Sequence, residues 1–491
     1  MEKGSLGKIL MVLEVSRKQD YIFASKRLRE NSARSGEIAY VTSSEFFRAA
    51  AGDVYQEEEN LVYTGGGHTV LQFYSPEAAT QFARKVTSAA IRQYRGMELF
   101  VKQQPYDPAL TPGENLTALT QALEAKKARR QASFRTLSLG VERLDPVDFK
   151  PVIQHAEPPR KAETPLTPPE GRRFPAQFQE LAAKDTFLAV VHVDGNAMGR
   201  RVQGLYKRSG AAGWDGCCQS LRRFSAGIQS DFERAFRETV DALIRNLPDQ
   251  WGPALPIRPV ILAGDDVCFV TAGRFGLECA RVFLERLKAL QNPEDGLPYA
   301  ACAGVALVHL KYPFHRAYSL AEELCSSAKR FAAELDPAGG VCALDWHIEF
   351  GEMKGSLSQI REDYETEDGG RMELRPVIVS VPSGVGLERT GGVRTYAFFR
   401  SLCLAMQSGP AAVTRRRLKG LRTAFRQGEV ESRFFLRERK ADALLEDAAV
   451  AAGAAGLDRA PFQTVDGVRR CLLFDATEMA DHCEFFREVE T

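Results

Sequence analysis

Residues 258–271 read Arg258-Pro-Val-Ile-Leu-Ala-Gly-Asp-Asp-Val-Cys-Phe-Val-Thr271. Two apolar runs, Arg258 to Leu262 and Val267 to Thr271, flank Ala263-Gly264-Asp265-Asp266. The runs predict two strands, and Gly-Asp-Asp predicts the tight turn that joins them. Adjacent carboxylates at a hairpin tip repel one another, and a positive group, most often a divalent cation, offsets that cost. An isolated Gly-Asp-Asp reads better as a plain Asx turn. The upstream strand Phe187-Leu-Ala-Val-Val-His-Val193 changes the balance, because it runs into Asp194-Gly195-Asn196-Ala197-Met198-Gly199. A strand-end carboxylate facing a hairpin carboxylate pair is a metal-holding arrangement suited to phosphoryl transfer on nucleoside triphosphates.

Working outward, two segments share one order of elements. In the second, Phe187 to Val193 is a strand and Ser220 to Leu247 a long helix with Phe224, Ile228, Phe232 and Phe236 on its apolar face. The Gly-Asp-Asp hairpin follows, then a helix from Phe275 to Leu290, a strand from Tyr299 to His309 and a helix from Arg316 to Leu335. In the first, Lys8 to Val15 reads as a strand and Gln19 to Leu28 as a helix. Asn60 to Tyr74 is a hairpin around Gly65-Gly66-Gly67-His68. A helix from Pro76 to Arg95, a strand from Glu98 to Gln103 and a helix from Asn115 to Arg130 complete it. Both segments read β-α-ββ-α-β-α. The expected fold class is therefore α+β, two ferredoxin-like units plus a helical C-terminal region.

Laid over one another, the copies place Ser16 at Asp194 and Gly65-Gly66-Gly67-His68 at Ala263-Gly264-Asp265-Asp266. Leu123-Glu-Ala-Lys126 matches Cys325-Ser-Ser-Ala-Lys329 one residue out of step. In this alignment the first copy lacks every acidic position of the second. The expected domains are a degenerate unit over 1–150, a proline-rich linker over 151–183 (Pro151, Pro158, Pro159, Pro165, Pro168, Pro169, Pro175), the acidic unit over 184–350 and a mainly helical region over 351–491.

Composition bounds the rest. The 491 residues imply several domains. A net charge of +1, from 65 Lys and Arg against 64 Asp and Glu, gives no global polycation signal for nucleic acid. No apolar run is long enough to span a bilayer, and the N-terminus lacks a signal-peptide segment, so a cytoplasmic protein without a membrane partner is expected. The ten cysteines include no CxxC pair, which argues against a zinc ribbon and for free thiols.

The candidate metal ligands are Asp194, the Gly195 carbonyl, Asp265 and Asp266. These oxygens suit Mg2+ or Mn2+, as two ions, with ATP as substrate. Asp194, Asp265 and Asp266 are the candidate catalytic residues, Asp266 either binding metal or taking a proton. Lys329 could neutralise a triphosphate or be a solvated lysine favoured at a helix end. Gly65, Gly66, Gly67 and Gly264 could bring backbone amides to a phosphate, or simply meet the turn's need for positive φ. Asn196 completes the candidate nucleotide contacts. His309 and His315 read as structural. The acidic run Glu362 to Gly370 reads as a solvated loop. Arg415, Arg416, Arg417, Lys419, Arg422 and Arg426 form a basic cluster that could meet RNA or an acidic partner, or be a solvated helix face.

These motifs are similar to those of a known family. Asp194-Gly-Asn-Ala-Met-Gly199, Ala263-Gly-Asp-Asp266 and Ser327-Ala-Lys329 resemble the second palm domain of the large, polymerase/cyclase-like subunit of type III CRISPR effector complexes. Val15-Ser-Arg-Lys-Gln-Asp-Tyr-Ile-Phe-Ala-Ser-Lys-Arg-Leu-Arg29 resembles the start of its first palm, and Gly65-Gly-Gly67 its degenerate hairpin. The resemblance implies ATP conversion to 3′,5′-linked cyclic di- or oligoadenylates made between two palms for antiviral defence. It implies effector subunits, RNA or a second copy of the chain as partners. A catalytically weak palm scaffold that binds nucleotide or RNA is the alternative. Ala263 replaces the first glycine of the usual GGDD, and Asn196 replaces a second Asp. The HD nuclease domain and zinc-binding cysteines of that subunit have no counterpart in this sequence. A compact, stand-alone relative is the corresponding expectation.

Overall fold

Alternating apolar residues and two glycine turns build the frame of the molecule. The structure, a computed structural model, describes residues 7–130, 141–144, 166–182, 185–209, 213–248, 251–351, 355–387, 390, 392–408, 415–438, 445 and 460–487. Most of the proline-rich linker lies outside the described residues.

The first sheet contains β1 (Ile9–Ser16), β2 (Leu61–Gly65), β3 (His68–Phe73) and β4 (Glu98–Pro105), in the order β2-β3-β1-β4. The second contains β5 (Phe187–Gly195), β6 (Ile257–Ala263), β7 (Asp266–Ala272) and β8 (Ala301–His309), and its corresponding order β8-β5-β7-β6 is the same topology. All pairs within these two quartets are antiparallel, as the ferredoxin-like reading requires. The second sheet continues past β8 into β9 (Cys342–Glu349), parallel to it, and β10 (Val377–Ser380). These strands are an addition to the sequence reading. In β9, Asp345, His347 and Glu349 alternate with apolar residues like a half-exposed strand, yet all eight residues are buried. Arg361 meets Asp345 at 2.6 Å and Tyr364 meets His347 at 3.0 Å, which makes that burial tolerable.

The principal helices are α1 (Leu28–Val41), α2 (Pro76–Gln93), α3 (Pro112–Ala128), α4 (Met198–Ser209), α5 (Gly213–Asn246), α6 (Gly276–Lys288), α7 (Phe314–Leu335), α8 (Tyr396–Ser408), α9 (Arg415–Gln427) and α10 (Glu429–Glu438). The expected helix over Gln19 to Leu28 is instead a short one, Lys18–Ile22, followed by a break before α1. Ser25 causes the break: its Oγ accepts from the Arg27 amide and donates to Glu30, local bonds that compete with helix. α3 begins at a capping box, with Thr111 Oγ accepting from the Glu114 amide and the Glu114 carboxylate accepting from the Thr111 amide. α7 lies very close to β8 because Gly304 has no side chain. A Cβ there would fall 2.0 Å from the Ala321 carbonyl oxygen. That approach brings Lys329, on α7, to the end of β5.

The C-terminal region is mainly helical and adds a hairpin, β11 (Phe462–Val465) and β12 (Val468–Cys471). The acidic run Glu362 to Gly370 is largely exposed, as a solvated loop should be, with Asp368 meeting Arg469 at 2.8 Å and accepting from the Glu429 amide. Arg422 is not a free member of a basic face: it meets Glu478 at 3.4 Å and stacks over Phe350 and Phe474. The side chains of residues 415–419 lie outside what is described. No helix among the described residues is long and apolar enough to cross a membrane. All ten cysteines are buried, and none is in a disulfide.

Candidate active site at the junction of the two sheets

The two hairpin turns meet. Gly264 (φ +70°) and Gly66 (φ +57°) adopt the left-handed conformation their turns require, as does Gly67 (φ +76°). A Cβ built on Gly264 would lie 4.0 Å from the Gly66 amide nitrogen, and one on Gly66 3.9 Å from the Ala263 carbonyl. Between the sheets is a cavity of about 1090 Å³ lined by Gly65, Gly66, Gly67, Gly264, Asp265 and Asp266, among others. The metal-type hairpin and its glycine counterpart therefore face one space. The glycines' positive φ accounts for the turns. Gly65, Gly66 and Gly67 line that space, whereas the Gly264 amide, also expected to meet a phosphate, is already taken by the Gln229 side-chain oxygen at 2.7 Å.

Asp194 stands directly across the ladder from Asp266, and the Gly195 amide donates to the Asp265 carbonyl at 3.3 Å. Lys329 Nζ lies 2.5 Å from Asp194 Oδ2 and 2.9 Å from the Gly195 carbonyl oxygen. Lys329 thus bridges the two predicted metal-binding oxygens of the strand end, rather than standing as a solvated helix-end lysine. Asp194, Gly195, Asn196 and Lys329 are not among the residues lining the cavity. The Asn196 side chain donates to the Val341 carbonyl at 2.8 Å, which occupies the amide that a nucleotide would use. His309 lies opposite Phe187, at the other end of the strands.

Burial, with the Asp194 charge next, pushes the Asp265 carboxyl up to about 6 and that of Asp266 up to about 7. Nearly half of the Asp266 side chain still faces open space. Its Oδ1 and His192 Nδ1 stand 3.7 Å apart, and neither has a hydrogen-bond partner among the described residues. Burial holds the His192 imidazole below its ordinary range.

The register corrects the alignment of the two copies. Gly65 pairs with His68 as Ala263 pairs with Asp266, and Glu14 lies opposite His68 as Asp194 lies opposite Asp266. The Val15 amide donates to Gly67 as the Gly195 amide donates to Asp265. Glu14, not Ser16, is therefore the counterpart of Asp194. Alternate strand residues share a face, so a two-residue slip preserves the sequence pattern. The lysine match also moves into step: Lys127 meets Glu14 at 2.9 Å as Lys329 meets Asp194. Lys126 instead donates to the Val101 carbonyl. The first unit has kept a strand-end carboxylate and its lysine, and has Gly67 and His68 where the second has Asp265 and Asp266.

Further residues of the site carry weak sequence signals. Lys18, two positions past β1, donates to the Gly66 carbonyl and lines the cavity. Glu322 accepts from Gln19 at 2.8 Å and contributes to the raised Asp266 carboxyl. Lys18 lies within a quoted motif, so its position after a strand was the available clue. Glu322 looks like any helix carboxylate.

A divalent cation fits the oxygens present. Asp194 and the Gly195 carbonyl already converge on one cationic group, the Lys329 ammonium, and burial, with the Asp194 charge next, disfavours the charged forms of Asp265 and Asp266. Among the described residues no three His, Cys, Asp or Glu side chains form a chelating group by themselves. The protein would thus supply a minority of the ligands, as is usual for Mg2+ held with phosphates and water.

No family model matches the chain, and no curated protein matches it. Solved structures do. Csm1 from T. onnurineus matches with a TM-score of 0.55 at 15% identity, over 96% of this chain and 69% of that one. A Csm1–Csm4 cassette in complex with cA3 gives a TM-score of 0.49 at 15% identity, over 91% of this chain and 70% of that one. The cassette with AMPPNP gives 0.48 at 14% identity, over 91% and 70%. The chain has the fold of Csm1.

Proposed function

We propose that the chain is a metal-dependent nucleotidyltransferase of the type III CRISPR large-subunit kind, converting ATP into 3′,5′-linked cyclic di- or oligoadenylate and pyrophosphate. The observation that carries this reading is the shared cavity, where the Asp265-Asp266 turn faces the glycine turn of the other sheet. One nucleotide on each side would bring a 3′-hydroxyl of one to the α-phosphorus of the other.

In the step itself, the 3′-oxygen bonds to the α-phosphorus. The bond from that phosphorus to the bridging oxygen breaks, and pyrophosphate leaves with the electron pair. The hydroxyl proton passes to Asp266, whose carboxyl near neutrality suits a base at physiological pH. Asp194, the Gly195 carbonyl and Asp265 would hold Mg2+ or Mn2+, which lowers the pKa of the attacking hydroxyl and offsets charge on the leaving group. Lys329 would release Asp194 and turn to the phosphates. Lys18 and the amides of Gly66 and Gly67 orient the nucleotide on the opposite side.

The test is incubation of the purified chain with radiolabelled ATP and Mg2+ or Mn2+, with and without RNA and effector subunits. Cyclic products in the wild type and none in Asp265→Ala/Asp266→Ala are expected. No product from the wild type under any of these conditions would leave the chain a palm scaffold.

A further inference from the structure

The long helix α5 belongs to the second sheet's half of the molecule, yet one of its faces bonds to both hairpins. Arg222 Nε donates to the Val62 carbonyl at 3.0 Å, and Ser225 Oγ donates to the Thr64 carbonyl at 2.6 Å. Both acceptors are on β2, an edge strand of the first sheet. One turn further on, Gln229 Nε2 donates to the Leu262 carbonyl at 3.2 Å, and Gln229 Oε1 accepts from the Gly264 amide at 2.7 Å. Leu262 is the next-to-last residue of β6, the edge of the second sheet, and Gly264 begins the acidic turn. Positions 222, 225 and 229 are spaced i, i+3 and i+7, and so lie on one stripe spanning about 10 Å of helix.

An edge strand presents unpaired carbonyls, and side chains from a covering helix can satisfy them. Here one rigid helix satisfies two edges belonging to different sheets, at the ends nearest the cavity. Gly65 fits this contact: a Cβ there would fall 2.7 Å from Ser225 Oγ, so the residue that begins the glycine run lies against the helix. The arrangement is reciprocal. From the first half, Ser32 on α1 donates to the Pro259 carbonyl of β6 at 2.9 Å, and Arg258 Nε donates to Ser32 Oγ.

We propose that Arg222, Ser225 and Gln229 are positioning residues that fix the two hairpin tips in register across the cavity, Gln229 acting through the Gly264 amide on Asp265. Their role in transfer rests on the function proposed above. Their clamping of the tips does not. Two substrates held by two independent hairpins must be aligned to within a fraction of an ångström, and a common splint along one wall of the cavity supports that alignment.

The experiment compares Gln229→Met, Gln229→Glu and Ser225→Ala with the wild type by hydrogen exchange of the peptides spanning 61–68 and 262–268 and by steady-state kinetics with ATP. Gln229→Met keeps the side-chain length and removes both hydrogen bonds to the hairpin, together with the one to Glu233 on the same helix. It should speed exchange of the Gly264 amide about tenfold and lower kcat about tenfold, with KM changed less than about twofold. Gln229→Glu retains the acceptor for Gly264 but loses the donor and faces the Glu233 carboxylate, so it should restore only part of the protection and part of kcat. Ser225→Ala should raise exchange in 61–68 and leave 262–268 protected. Unchanged exchange at Gly264 in Gln229→Met overturns the clamp. Faster exchange with unchanged kcat overturns the positioning role. If the wild type forms no product, the function proposed above fails, and the exchange data alone decide the clamp.

Discussion

The two ferredoxin-like sheets carry the same strand order, the same hairpin register and the same strand-end ion pair, yet their turns differ. In the second sheet Asp194 and Lys329 stand beside Asp265 and Asp266. In the first, Glu14 and Lys127 stand beside Gly67 and His68. The comparison separates what maintains the frame from what adds chemistry. The carboxylate–lysine pair closes the end of the first strand in both halves, so by itself it marks the fold. Paired carboxylates occupy a turn only once, and there burial, with the Asp194 charge next, pushes both carboxyls well above their ordinary range.

The sharpest way to break this comparison is to neutralise corresponding turn residues. Asp266→Asn should lower the rate of product formation by about 10²–10⁴-fold, the range of a lost general base, whereas His68→Asn should cost less than about tenfold. Equal losses would mean that the two turns share the chemistry. Transplanting the acid is the converse test. Gly67 has φ +76°, and a Cβ there would meet Ile38 and Lys18 carbons at 3.0 Å. Gly67→Asp should therefore cost about 2 kcal/mol of stability in urea unfolding, with no gain of activity.

The lysines offer a subtler contrast. Lys329 stands between oxygens that a divalent cation would use, so the two compete. Lys329→Met should tighten Mn2+ binding to the nucleotide-free chain about tenfold, read by paramagnetic resonance titration. Lys127→Met should not, because Glu14 has no acidic turn beside it. The smallest effect concerns pH. With folded values near 6 and 7 against an ordinary 3.8, Asp265 and Asp266 take up protons on folding. Their ionisation therefore lowers stability as pH rises from about 4 to 7, and the loss levels off above that. Relative to Asp266→Asn, the wild type should lose about 1 kcal/mol over this interval by chemical denaturation, a figure reduced for the solvent that reaches the open side of Asp266.

Much of this architecture is legible in the chain because local rules decide it. The hairpins around Gly66 and Gly264 follow from glycine turns between β-branched runs, and Pro76 marks a helix start. β9 escapes notice because Asp345, His347 and Glu349 look solvated, and only partners such as Arg361 and Tyr364 make their burial affordable. The helix expected over Gln19 to Leu28 fails on a local hydroxyl, Ser25, that competes with helical bonding.

The sequence by itself determined two copies of one strand order, a hairpin with paired acids and a hairpin without them, since periodicity and turn chemistry are properties of neighbouring residues. Only the tertiary structure decided that Glu14 rather than Ser16 answers to Asp194, that Lys329 bridges Asp194 and Gly195, and that one face of α5 holds both turns to a common cavity. Alternation along a strand is unchanged by a slip of two residues, so pattern cannot fix register. Hydrogen bonds across the ladder can. Contacts such as Gln229 to Gly264 join residues that no local rule connects, and they exist only once two sheet edges meet the same helix.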